Sequence, residues 1–204
     1  MSQLALRVLG TIGLLLALAA PMAIAQEPPV RVRGTIERVD GDVYVVKTRG
    51  GAELKVKLAE KATVVALIKA SLADIKQGSY VGVTGMPQPD GSQRALEVHI
   101  FPEAMRGTGD GHRPWDLQAS STMTNGNVEQ TAAGTDGQSI TLKYKDGEKK
   151  FTVPADTPIV VYVPGDKSEL KAGASIFISA AVKQADGTLE APRVNVGRGV
   201  APPM

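Results

Sequence analysis

The chain states one structural phrase twice. Gly126-Asn127-Val128-Glu129 repeats Gly34-Thr35-Ile36-Glu37, Glu169 to Gly173 repeats Asp74 to Gly78, and Asp186-Gly187 repeats Asp90-Gly91, at offsets of 92, 95 and 96 residues. A nearly constant offset through successive segments marks a duplicated unit, so the fold of the first half must also serve the second. The stretch from Gly107 to Gly126 separates the copies and holds the only Trp.

Each copy reads as β-structure. Val30, Val32, Gly34 and Ile36 alternate with charged residues up to the turn Asp40-Gly41-Asp42, the pattern of a half-buried strand. Val43 to Thr48 gives a second strand, and Leu54, Val56 and Leu58 mark the core face of a third, which Thr63 to Ile68 extends. Ser71-Leu72-Ala73-Asp74 has the spacing of a capping box, with Gly78 placed to end a single helical turn. Tyr80 to Thr84 and Arg94 to Phe101 supply two more strands; in the last, Leu96, Val98 and Ile100 share one face and Glu97 and His99 the other. The second half repeats this with Ser139 to Tyr144, Lys150 to Val153, Thr157 to Val163, Ser175 to Ala180 and Val194 to Val196, and with Ser168 as N-cap and Gly173 as terminator of its helical turn.

Three strands, a helical turn and two strands is the order of an OB-like barrel. The expected fold is therefore all-β: two tandem five-stranded OB-like barrels, at 30–105 and 123–198, each with a short helical turn between strands three and four. A five-stranded open sandwich is the alternative. The hinge is 106–122, and short disordered tails are expected at 26–29 and 199–204. A module of about 70 residues buries only roughly 60% of its unfolded surface. The barrels should accordingly pack on each other, with the hinge clamped between them and Trp115 as its anchor. Tyr44, Tyr80, Tyr144 and Tyr162 are read as cross-strand packing residues.

Residues 1–25 have the charged start (Arg7), the short apolar run (Val8 to Ala20) and the Ala23-Ile24-Ala25 site of a secretory signal peptide. Cleavage after Ala25 and a periplasmic or secreted location are expected, with no membrane span in the mature chain. The sequence has no Cys, which excludes disulfides and thiolate chemistry. The formal charge of +2 includes Arg7, and aromatics are 4% of the chain, so neither a basic face nor a stacking platform for nucleic acid is present.

The shared phrase, a Gly-containing first strand, two further strands, a turn ending in Gly78 or Gly173, a strand, Asp-Gly and a last strand, resembles a bacterial family of secreted small β-barrel domains of unknown function. The resemblance covers most of 30–105 and 123–198 and implies export and an all-β repeat, with no activity and no catalytic residue. Chains that look like this one are sometimes carried under a metal-transporter permease label, which here would mean at most an exported accessory protein.

His112-Arg113-Pro114-Trp115-Asp116 is the densest chemical cluster, offering a cation, an aromatic platform and a carboxylate to a small ligand or an envelope protein. The plainer reading is a linker pinned by Trp115, with Arg113 and Asp116 as a local ion pair. A periplasmic OB-like barrel using His, Met and Trp is similar in plan to a small copper-efflux chaperone, so His99, His112, Met105 and Met123, with Met86 and Trp115, are candidates for a Cu(I) site. Against that, His99 on a polar strand face reads as solvated, and Met105 and Met123 as packing on the hinge. Gly107-Thr108-Gly109-Asp110-Gly111 lacks the following helix and Lys of a phosphate loop. Ser168-Glu169-Leu170-Lys171 has S-x-x-K spacing without the long helix and large domain that acyl enzymes need. The expectation is a non-catalytic binding or interaction module with no cofactor; a copper-binding protein is the first alternative and an unrecognised hydrolase the second.

Overall fold

The computed structural model describes residues 28–135 and 137–203; the expected signal peptide at 1–25 and residues 26 and 27 of the N-terminal tail lie outside them. The described residues are all-β, without an α-helix. The first half forms β1 (Val30–Asp40), β2 (Val43–Thr48), β3 (Glu53–Lys69), β4 (Tyr80–Pro87) and β5 (Gln93–Phe101). The linker contributes β6 (Gly111–Pro114). The second half forms β7 (Thr122–Gly134), β8 (Gly137–Tyr144), β9 (Gly147–Pro154), β10 (Ile159–Pro164), β11 (Ser175–Lys183) and β12 (Leu189–Gly197).

β3 is one strand of 17 residues, where the second half has two, β9 and β10. The difference is covalent: Pro154 and Pro158 lack the N–H that a continuous ladder requires, and the matching part of β3 contains no proline. At roughly 3.3 Å per residue β3 spans about 55 Å, far longer than an ordinary strand. It therefore starts in one group of strands and ends in another.

The pairing follows from that reach. β1, β2 and β3 form an antiparallel meander, β3 runs parallel to β12, β12 pairs with β11, and β11 returns to β1. This closes a five-stranded barrel around Val32, Ile36, Val46, Val56, Ile178 and Val194. The remaining strands form a second ring, β7-β8-β9 with β4 and β5, in which β9 meets β5 through a short parallel contact, Gln93 opposite Phe151 and Arg94 opposite Thr152. Its interior holds Val81, Val83, Val98, Ile140, Leu142 and Phe151. β10 joins the rings, antiparallel to β3 and parallel to β5.

Each ring thus takes three strands from one half and two from the other. The expectation that 30–105 and 123–198 each close on themselves differs from this pairing, because β3 carries the β4–β5 hairpin past its own ring and delivers it to β7. Two other expectations are corrected. The linker at 106–122 contains β6, paired with β7 from Gly111 opposite Asn125 to Pro114 opposite Thr122. The segment after Gly197 is docked as far as Pro202, with Val200 against the inter-ring core and the Pro202 carbonyl accepting from Arg49 Nη2 at 2.6 Å.

Short 3-10 turns lie at Leu72–Asp74 and Lys167–Glu169. The Asp74 carboxylate accepts from the Ser71 N–H and Oγ–H. In the second turn the N-cap is Asp166, which accepts from the Ser168 N–H, so Ser168 lies inside the turn rather than capping it. Glu169 completes the capping box by accepting from the Asp166 N–H, a partner that a cap at Ser168 would not have at that spacing.

The repeated glycine of the first strand has a structural reason in both copies. A Cβ on Gly34 would strike the Lys47 carbonyl oxygen, and one on Gly126 the Lys143 carbonyl oxygen. A register shift follows each glycine, between Ile36 and Arg38 and between Val128 and Gln130, so the strand bends there to curl into its ring. Gly34→Ala and Gly126→Ala should each destabilise the protein by about 2–4 kcal/mol. Because the rings share strands, both should lower one common unfolding transition, seen by circular dichroism in denaturant; two separate transitions would contradict the exchange.

Candidate functional site

Between the rings lies a third core of Leu67, Tyr80, Phe101, Val160, Tyr162 and Phe177, with Met105, Trp115 and Val200 packed at its edge. Phe101 and Tyr162 stack at 4.8 Å between centroids. Beside these rings is a cavity of about 230 Å³. From the second ring and the linker it is lined by His99, Phe101, Met105, Arg113, Trp115 and Met123. Across from them stand Tyr162 of β10, Phe177 of β11, and Arg193 and Asn195 of β12. The exchange of hairpins makes this junction, since β5 and β12 each lie in the ring of the other half.

The linker wall is held by named bonds. Asn125 Nδ2 and the Tyr80 hydroxyl both donate to the Thr108 carbonyl, at 2.9 and 3.2 Å. Asp110 accepts from Tyr80 and from the Lys145 N–H. Burial, with the Asp110 charge second, pushes the Tyr80 hydroxyl up to about 12. Arg113 donates to the Gly109 carbonyl at 2.8 Å. These contacts turn a glycine-rich linker into a fixed wall.

Trp115 sits among guanidinium groups. Arg31 lies 4.1 Å over its ring, Arg113 at 5.7 Å and Arg33 at 5.9 Å, within the range of cation–π attraction. Asp116 pairs with Arg33 at 2.7 Å and Arg31 at 3.3 Å, not with Arg113, so the expected local pair is replaced by a clasp between linker and β1. Sequence neighbours cannot reveal this, because the clasp spans 83 residues. The hydrogen bond from Arg33 holds the Asp116 carboxyl below the usual carboxylate range. Burial first, and the Arg31 charge second, hold Arg113 below the ordinary arginine value.

Behind the cavity is a buried polar cluster. The Thr84 hydroxyl donates to Glu97 Oε1 at 2.5 Å, and His99 Nε2 lies 3.4 Å from the same oxygen. Thr84 is 0% exposed, and Glu97 and His99 are each 1% exposed. The reading of His99 as solvated is therefore corrected. The polar face of β5 is covered, with Tyr162 edge-on to the imidazole at 6.1 Å. The i, i+2 pairing of Glu97 and His99 is legible in sequence; the cover comes from β10 and is not.

The remaining candidates separate. Met105 and Met123 line the cavity with His99. His112 is exposed outside it, with Nδ1 2.7 Å from Thr124 Oγ1 and its ring stacked on Tyr144; burial, then Lys149 and Arg113, lower its pKa. Met86 lies opposite Arg94 on β4 and is not among the cavity residues. Ser168 is exposed in its turn. Sequence reasoning missed Arg193, Asn195, Tyr162 and Phe177, none of which has a local pattern that marks it. Among the described residues no group of three His, Cys, Asp or Glu converges to hold a metal ion.

Comparisons with protein-family models, curated proteins and solved structures found no match to this chain.

Thr84→Val, which keeps the shape and removes the donor to Glu97, should cost about 1–3 kcal/mol in denaturant unfolding. Since folding lowers the Asp116 pKa, the clasp is complete above the unfolded aspartate value of about 3.9 and is lost as pH falls through the lower folded value. Emission from Trp115, the only Trp, should shift in that acid range and not in Asp116→Asn.

Proposed function

We propose that the protein is an exported, non-catalytic binding module of two OB-like barrels completed by reciprocal hairpin exchange, and that it takes a small ligand in the cavity between them. The order β1-β2-β3-β12-β11 in one ring, and β7-β8-β9-β5-β4 in the other, supports the OB-like reading, with the parallel closure that order requires. The observation that carries the binding reading is that strands of both rings and the linker meet at one pocket with aromatic walls and a few polar groups, the usual make-up of a ligand site. The export reading rests on residues 1–25 and the chain's resemblance to secreted β-barrel domains.

Native mass spectrometry of the protein recovered from its export compartment tests this. A retained small molecule should be lost in Trp115→Ala and kept in His112→Ala, because only Trp115 lines the cavity. A bare protein mass with a co-purifying envelope protein would move the site from the cavity to the outer face of the linker.

A second reading, a copper-type metal handler, is favoured by one observation: His99, Met105 and Met123, soft or borderline donors, line the same cavity. Arg113 and Arg193 oppose a cation there. Stoichiometric Cu(I) uptake abolished by Met123→Leu and unaffected by His112→Ala would support it; no uptake by the intact protein would end it.

A further inference from the structure

The charged side chains that line the cavity are cationic, and the Glu97 carboxylate is buried behind His99, 3.4 Å from its Nε2. Arg113 and Arg193 line the cavity, and no carboxylate does. Among the described residues neither guanidinium is ion-paired: Arg113 donates to the Gly109 carbonyl and Arg193 to Thr63 Oγ1. Arg31 and Arg33 add two more guanidinium groups at Trp115 and share the one carboxylate of Asp116.

Unmet hydrogen-bonding capacity around the cavity is of both senses: Asn125 Oδ1 in the lining, and Glu97 Oε2 behind His99, are buried acceptors without a partner. Trp115 Nε1 and Arg33 Nε are buried without a hydrogen-bond partner, and both are donors. Arg33 also lies 5.2 Å from the Phe177 ring, which lines the cavity. A buried donor without an acceptor is costly, and a guanidinium in a half-buried wall gains more from an anion than from water.

Size and shape narrow the ligand further. An apolar cavity of about 150 Å³ accepts benzene, so about 230 Å³ admits one aromatic ring and a carboxylate. Phe101, Tyr162, Trp115 and Phe177 supply ring faces and edges.

We infer that the cavity binds a small aromatic carboxylate, its ring among Phe101, Tyr162 and Phe177 and its carboxylate toward Arg113 and Arg193. The inference rests on the ligand-cavity reading and names the ligand's chemistry. The carboxylate gives Arg113 and Arg193 the charged partner that the lining lacks.

Calorimetric titration of the whole protein with benzoate, benzamide and benzamidine tests it, since the three probes share a ring and differ in charge. Benzoate should bind at least about tenfold more tightly than benzamide, and benzamidine most weakly. Arg113→Gln and Arg193→Gln should each erase most of the benzoate advantage while leaving benzamide binding unchanged; two variants are used so that one which fails to melt like the parent leaves the other to decide. Benzamide binding as well as benzoate would overturn the anion inference and leave a ligand cavity standing. A benzoate advantage that survives both substitutions, or no binding of any probe at millimolar concentration, would also overturn it. The cavity reading itself fails separately, when Trp115→Ala leaves a retained native ligand in place.

Discussion

The parallel pairing of β3 with β12 is the contact on which the rest of the molecule depends. It runs from Leu189 opposite Val56 to Gly197 opposite Leu67, closing the first barrel with a strand contributed by the other end of the chain. Parallel strands need a long crossover, and here that crossover is the whole of the second ring. The first ring cannot close before β11 and β12 are made, and β10 ties it to the second, so the two small cores of a duplicated chain become one cooperative structure. For modules too small to be stable alone, mutual completion hides strand edges and apolar faces that simple side-by-side packing would leave partly exposed.

The exchange also creates the cavity. β5 and β12 occupy equivalent places in their rings, each inserted from the other half, and their residues face a common space capped by β10 and β11. A tandem pair of self-contained barrels would bring these strands together only if the barrels happened to pack by that face. Here the topology compels it. The linker, short of apolar residues, could not have folded by itself; Tyr80, Asn125 and Lys145 give its backbone and its Asp110 their partners, and Asp116 fastens its far end to β1.

The buried Thr84–Glu97–His99 cluster, with Asn125 and Asn195, departs from the rule that polar groups face water, and His99, Asn125 and Asn195 line the cavity. Polar groups kept out of water carry a cost that their hydrogen bonds must offset.

How much of this was legible depended on the range of the interaction. The β-character, the turns at Asp40-Gly41-Asp42 and Asp186-Gly187, the strand glycines Gly34 and Gly126, and the duplication were all readable, because alternation, turn chemistry and repeat spacing are local properties of a chain. Arg113, Trp115, His99, Met105 and Met123 were recognisable as chemistry-bearing residues by type. Which of them meet, that His112 stands apart, that Asp116 pairs with Arg31 and Arg33, and that Arg193 joins the site were decided only by the tertiary structure. Strand exchange leaves the local pattern of every strand unchanged: each half has the same alternation whether its last hairpin closes its own ring or the other's. By itself the sequence determined what each segment would be, and the reach of β3, with β10 bridging the rings, decided with which half each segment would pair.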